Sequence, residues 1–267
     1  LKNAQNNDGD LSDATVQKQI DDLNLAFDGN PNYASCCRND TPQGPHPPSP
    51  FQFNLASITE YNVNEFVFNQ GPFSTSYENF MVTNRKGDCS ILNVYTGDAD
   101  GYLGYATLPH ECSSNRERDG VALNYKAISG GSSSDYNEGD TLVHEVGHWL
   151  GLYHTFQGGC FSGDGVDDTP AQADANYGCI LDNQSLPNTC PDPGNDPIYN
   201  YMGYADDRCM FRFTTEQIQE MTSQFDLYRS VSPSTPTISP TISPTISTVS
   251  PTSKYTLSPP TNEPTPL

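Results

Sequence analysis

His144-Glu145-Val146-Gly147-His148-Trp149-Leu150-Gly151-Leu152-Tyr153-His154 is the stretch whose spacing decides how this chain reads. His144 and His148 are four apart, so in a helix both imidazoles leave one face, a turn apart, and can share one tetrahedral ion. Leu142, Val143, Val146, Trp149 and Leu150 supply apolar faces that bed such a helix, expected over Asp140 to Tyr153, in a core. Gly151 turns the backbone sharply at no steric cost, which would bring His154 to a third vertex. Three neutral imidazoles leave a fourth position for water, the open arrangement of a catalytic rather than a structural zinc site. Glu145 needs no metal bond. Its natural role is to take the proton from zinc-held water as that water attacks a carbonyl carbon, then deliver it to the leaving amine. Histidines near a helix are often only core or surface residues. The extended string fixes five positions, however, and at average residue frequencies its chance occurrence in such a chain is on the order of 10⁻⁵.

Upstream, Val16, Ile20, Leu23 and Phe27 recur at helical spacing from Asp13 until Gly29-Asn30-Pro31 ends the run. Tyr33 to Pro50 is Pro-rich and reads as a long surface loop. Phe51, Phe53, Leu55 and Ser57 alternate with polar neighbours as in a half-buried strand. Three more strand-like runs follow: Ile91 to Thr96, Tyr102 to Leu108 and Val121 to Ile128. Downstream, His154 to Arg212 has little periodicity, many turn residues and four cysteines, as an irregular disulfide-stapled subdomain would. Thr214 with Gln217 starts a final helix through a capping box, with Ile218, Met221 and Phe225 on one face. Beyond Arg229, Thr237-Ile238-Ser239-Pro240 repeats, and proline breaks any helix or ladder. That tail is expected to be a disordered stalk or linker.

These boundaries divide the 267 residues into an extension over 1–12, a domain over 13–229 and the tail over 230–267. The domain itself splits into an upper part over 13–154 and a lower part over 155–229. The formal net charge of -21 disfavours nucleic acid and anionic membrane surfaces as partners. No apolar run is long enough to span a bilayer. Eight dispersed cysteines point to disulfides and an oxidising compartment, hence to a secreted protein. Two sequons, Asn39-Asp40-Thr41 and Asn183-Gln184-Ser185, allow glycosylation, and the start at Leu1 leaves room for a removed signal or pro-segment. Cys89 and Cys112 bracket two strand candidates and could pair with each other. Vicinal Cys36 and Cys37 suit loop bridging better than a thiolate cap on the metal.

The string with a downstream Asn200-Tyr201-Met202-Gly203-Tyr204 resembles the metzincin zinc peptidases. More narrowly, Thr141 to Phe156, Gly163 to Pro170, Cys190-Pro191-Asp192-Pro193, Asp206-Asp207-Arg208-Cys209 and Phe213-Thr214 are similar to the pappalysin family. The resemblance covers roughly Asp13 to Arg229. It implies an α+β catalytic domain with a twisted, mostly parallel sheet, an antiparallel edge strand packed on helices, and the irregular lower subdomain ending in a helix. It also implies Met202 as the apolar floor of a tight turn beneath the zinc. Tyr204 would donate to a developing oxyanion. Of three pairings open to the four lower cysteines, it implies Cys160 with Cys190 and Cys179 with Cys209. Structural calcium is implied at Asp164, Asp167, Asp168 and Thr169, whose hard oxygens suit that ion. An extended peptide would lie antiparallel on Leu103, Gly104, Tyr105 and Ala106. The implied activity is secreted zinc-dependent endopeptidase action on protein or peptide substrates. A non-catalytic zinc- and calcium-stabilised adhesion domain on a stalk is the alternative, which intact Glu145 and Tyr204 disfavour. Zinc hydrolysis of a non-peptide amide is a third.

Overall fold

The computed structural model describes residues 2–3, 9–29, 47–63, 75–99, 101–180, 185–230 and 265–266. In chain order the elements are β1 (Lys2–Asn3), α1 (Asp13–Phe27), β2 (Asn62–Val63), α2 (Thr75–Asn84), β3 (Val94–Gly97) and β4 (Tyr102–Ala106). They continue with α3 (Pro109–Asn115), β5 (Val121–Asn124), α4 (Asp140–Trp149), α5 (Gly159–Ser162), α6 (Thr215–Tyr228) and β6 (Thr265–Pro266). Cys36, Cys37 and the Asn39 and Asn183 sequons lie outside the described residues.

The architecture is mixed α/β with a small sheet. The sheet runs β3-β5-β4-β6, and here the expectation of a mostly parallel sheet needs correction. Within these four strands only β3 and β5 pair parallel; β5 with β4 and β4 with β6 are antiparallel. The expected strand at Phe51 to Ser57 joins no ladder either. Its backbone polar groups are taken by a side chain: Asn24 Oδ1 accepts from Phe53 N–H at 2.7 Å, and Asn24 Nδ2 donates to Phe53 O at 2.8 Å. Phe51 and Phe53 pack edge-on against the fully buried Phe27. A buried backbone must satisfy its donors and acceptors somewhere, and here α1 supplies the partner.

Two further differences sit at the chain's extremities. Lys2–Asn3, in the extension over 1–12, pairs parallel with Asn62–Val63. Thr265–Pro266, in the tail read as structureless, pairs with Tyr102 and Gly104 on the outer side of β4. The ladder groups of β4 on the side away from β5 attract any extended segment within reach.

The main core joins Leu23, Ala26 and Phe27 of α1, Val121 and Leu123 of β5, and Val143, Val146 and Trp149 of α4 with Tyr201, Met202 and Phe213 below. Helix α4 thus lies between the sheet and the lower part of the chain, buried on nearly every side. Disulfides link Cys89 to Cys112, Cys160 to Cys190 and Cys179 to Cys209. No helix among the described residues is long and apolar enough to cross a membrane.

Candidate active site

Helix α4 stops at Trp149, four residues short of the sequence expectation, because Gly151 adopts φ +109°. Its N–H donates to His148 O at 2.8 Å and that of Leu152 to Gly147 O at 2.9 Å, a Schellman closure that only a residue free of Cβ forms without strain. The chain leaves this turn toward His154. The three imidazoles converge: His148 Nε2 stands 3.1 Å from His144 Nε2 and 3.0 Å from His154 Nε2.

The opposite nitrogens fix the tautomers. His144 Nδ1 lies 2.6 Å from Tyr201 O, His148 Nδ1 2.7 Å from Leu152 O and His154 Nδ1 3.1 Å from Gln157 Oε1. Carbonyl oxygens only accept, so each Nδ1 carries the proton and each Nε2 presents a lone pair. Burial drives His144 and His154 well below the usual imidazole range and His148 to about 4, keeping all three neutral at pH 7. Three lone pairs held this close repel one another unless a cation takes them up, so the donor set fits zinc. Among the described residues these three form the one group of His, Cys, Asp or Glu close enough to hold an ion.

Around the trio, Tyr204 OH lies 3.2 Å from His154 Nε2, and Phe156 stacks on the His154 ring with centroids 4.8 Å apart. Met202 is fully buried, and a Cβ on Gly147 would collide with its sulfur, so the turn and α4 touch closely. Asn200 starts that turn by accepting Met202 N–H on its side chain at 2.9 Å. Gln217, at the third position of α6, donates to Asn200 Oδ1 and accepts from its Nδ2. Glu145 is buried at 1% exposure against β4, which carries Leu103 to Ala106.

The acidic loop is gathered only in part. Asp164 Oδ2 and Thr169 Oγ1 are buried without a hydrogen bond of normal geometry, and desolvation raises Asp164 to about 7. Asp167 and Asp168 are exposed, and Asp168 Oδ2 accepts Glu216 N–H at 3.0 Å at the start of α6. Asp207 has a part that no local signal announces. Its Oδ2 accepts backbone N–H groups of Glu138 at 2.9 Å, Gly139 at 3.1 Å and Asp140 at 3.4 Å, capping α4 from 67 residues downstream of Asp140.

A family profile described as pregnancy-associated plasma protein-A, peptidase family M43, matches residues 75–226. An extracellular metalloprotease of Pyricularia oryzae is 42% identical over 227 residues, covering 83% of this chain and 70% of that one. One of Colletotrichum graminicola is 48% identical over 151 residues, covering 55% of this chain. The chain spans about half the length of that relative, 53%. Mature mirolysin of Tannerella forsythia, solved in complex with a cleaved peptide, superposes with a TM-score of 0.63 at 29% identity, over 85% of this chain and 90% of that one. Profile, relatives and superposed structure agree with the converging histidines: this chain belongs to the pappalysin family, M43, of the metzincin metallopeptidases.

Proposed function

We propose that the chain is a secreted zinc endopeptidase, with 13–229 as its catalytic domain and 230–267 as a tail. The convergence of three Nε2 lone pairs beside a buried Glu145 carries this reading. His144, His148 and His154 would hold the ion, which when bound acidifies water and polarises a carbonyl. Glu145 would accept the proton of the attacking water and pass it to the departing amine. Tyr204, whose OH lies beside His154, would donate its phenol proton toward charge developing on the carbonyl oxygen. Met202 would floor the site without ligating.

The substrate would be an extended protein segment hydrogen-bonded along Leu103, Gly104, Tyr105 and Ala106 of β4. Support comes from β6, which takes an antiparallel place on that same strand, and from the cleaved peptide in the mirolysin complex. The relatives' designation as extracellular supports secretion. Casein cleavage by the purified protein tests the reading. Glu145→Ala should lower kcat by about 10²–10⁴ while zinc content stays at the native level. Equal cleavage by both proteins, insensitive to a chelator, would instead favour the adhesion alternative.

Calcium is the second metal of this reading, with Asp164 and Thr169 as its inward oxygens and Asp167 and Asp168 as more distant contributors. A hard divalent cation would satisfy two buried oxygens that have no hydrogen bond of normal geometry. Millimolar calcium should raise the thermal midpoint of the native protein and leave that of Asp164→Ala unchanged; an equal rise in both would remove this site.

A further inference from the structure

Gly104 lies on β4 directly beside Glu145. A Cβ at position 104 would stand 2.6 Å from Glu145 Cγ, 2.7 Å from its Oε1 and 2.9 Å from its carboxyl carbon. Non-bonded heavy atoms settle near 3.5–4.0 Å, so that volume is already taken by the glutamate. The backbone of Gly104 is ordinary extended strand, outside the positive-φ glycines, so space alone and no special conformation demands glycine here. Glu145 has little room to yield. It is 1% exposed, and on the α2 side the fully buried Tyr77 stands close enough to feel its charge. Burial first, then Tyr105, Tyr95 and Glu145, hold that phenol well above its usual range, so it stays protonated.

The other side of the same strand position matters equally. The outer ladder of β4 is engaged at Tyr102 and Gly104 by an antiparallel segment. Position 104 therefore meets Glu145 through its missing side chain and meets an extended chain through its backbone. We propose that Gly104 is a positioning residue, whose absent side chain seats Glu145 and so sets the distance between the base and a peptide main chain held on β4. The proposal rests on the peptidase reading above. An alanine would push the carboxylate aside by on the order of 1 Å, a misplacement that costs about a hundredfold in rate.

The experiment compares the zinc-loaded native protein with Gly104→Ala, Glu145→Ala and the double variant on one fluorogenic peptide. Gly104→Ala should lower kcat about a hundredfold with KM and zinc stoichiometry unchanged. It should add almost nothing to the residual rate of Glu145→Ala, because that side chain lacks Cγ, the carboxyl carbon and Oε1, the three atoms the new Cβ meets. An unchanged kcat in Gly104→Ala, or an equal loss in both backgrounds, would overturn the proposal. Should Gly104→Ala fail to fold, a folded double variant supports the seat and an unfolded one overturns it. Cobalt(II)-loaded native protein and Gly104→Ala, titrated with pH and followed by visible absorption, report the same displacement without substrate. A shifted midpoint is expected, and identical midpoints count against it. A native zinc-loaded protein that cleaves no peptide sinks the peptidase reading instead, and the cobalt comparison still decides Gly104.

Discussion

Each of the three imidazoles is steered by an oxygen that can only accept, two of them main-chain carbonyls close to the helix itself. Orientation is thus fixed before any ion arrives, which limits the reorganisation that binding requires. The Tyr204 ring packs edge-on against both His154 and Phe156, with centroids 4.9 Å from each. Tyr204→Phe should therefore keep its place and lose only the proton. Its kcat is expected to fall about 10²-fold with KM little changed, the loss typical of one oxyanion donor; steady-state kinetics on a peptide check this. At this scale the histidines, Glu145 and Met202 were legible because their spacing is local or follows a short pattern. Gly104 was not, because a glycine in a strand run announces nothing until the residue opposite it is known.

At the scale of elements, α4 is closed locally at one end and by a group remote in sequence at the other. Its C-terminus closes on Gly151, which the string itself contains. Its N-terminus has no side-chain cap of its own and receives the Asp207 carboxylate instead. Burial pushes Asp207 up to about 7 against three N–H groups that pull it down. With the folded value above the ordinary 3.8, ionisation works against the fold: stability is full below about 4 and is lost as pH rises through about 7. Asp207→Asn stays neutral throughout. The thermal midpoint of the native protein relative to this variant should fall between pH 4 and pH 8; a constant difference would mean the ionised form carries no penalty. Helices α1 and α6 were legible from period and capping box. The short α3 was not, since Pro109 to Asn115 carries too few apolar residues to show a period. The strand read at Phe51 failed for a related reason: alternation reports a half-buried extended chain and is silent on what bonds its backbone.

For the molecule as a whole, the closing contact is Arg229, the residue after α6. It is 1% exposed, stacks 3.8 Å above the Trp149 ring and donates to Trp149 O at 2.7 Å. Its guanidinium also meets Asp119, which further accepts from Arg85, Thr107 and the Trp149 indole. Removing Arg229 leaves Asp119 paired with Arg85 but takes away hydrogen bonds to a charged group, worth about 1.5–3 kcal/mol each. A chain ending at Tyr228 should lose that much by denaturant titration. One ending at Ser230 should keep the native midpoint and cleave peptides at least as fast, with the outer side of β4 released from residues 265–266. The charge cluster was not readable in the sequence, since Arg229 and Asp119 lie 110 residues apart.

That same arginine ties the completion of the fold to the order of its synthesis. Asp119 and the end of the histidine-bearing helix emerge from the ribosome long before residue 229, and until then the carboxylate has only part of its counter-charge. A domain folds as a unit once its last contact is available. The nascent chain therefore carries all three histidines on an incomplete scaffold, and their helix gains this anchor only when translation has passed residue 229.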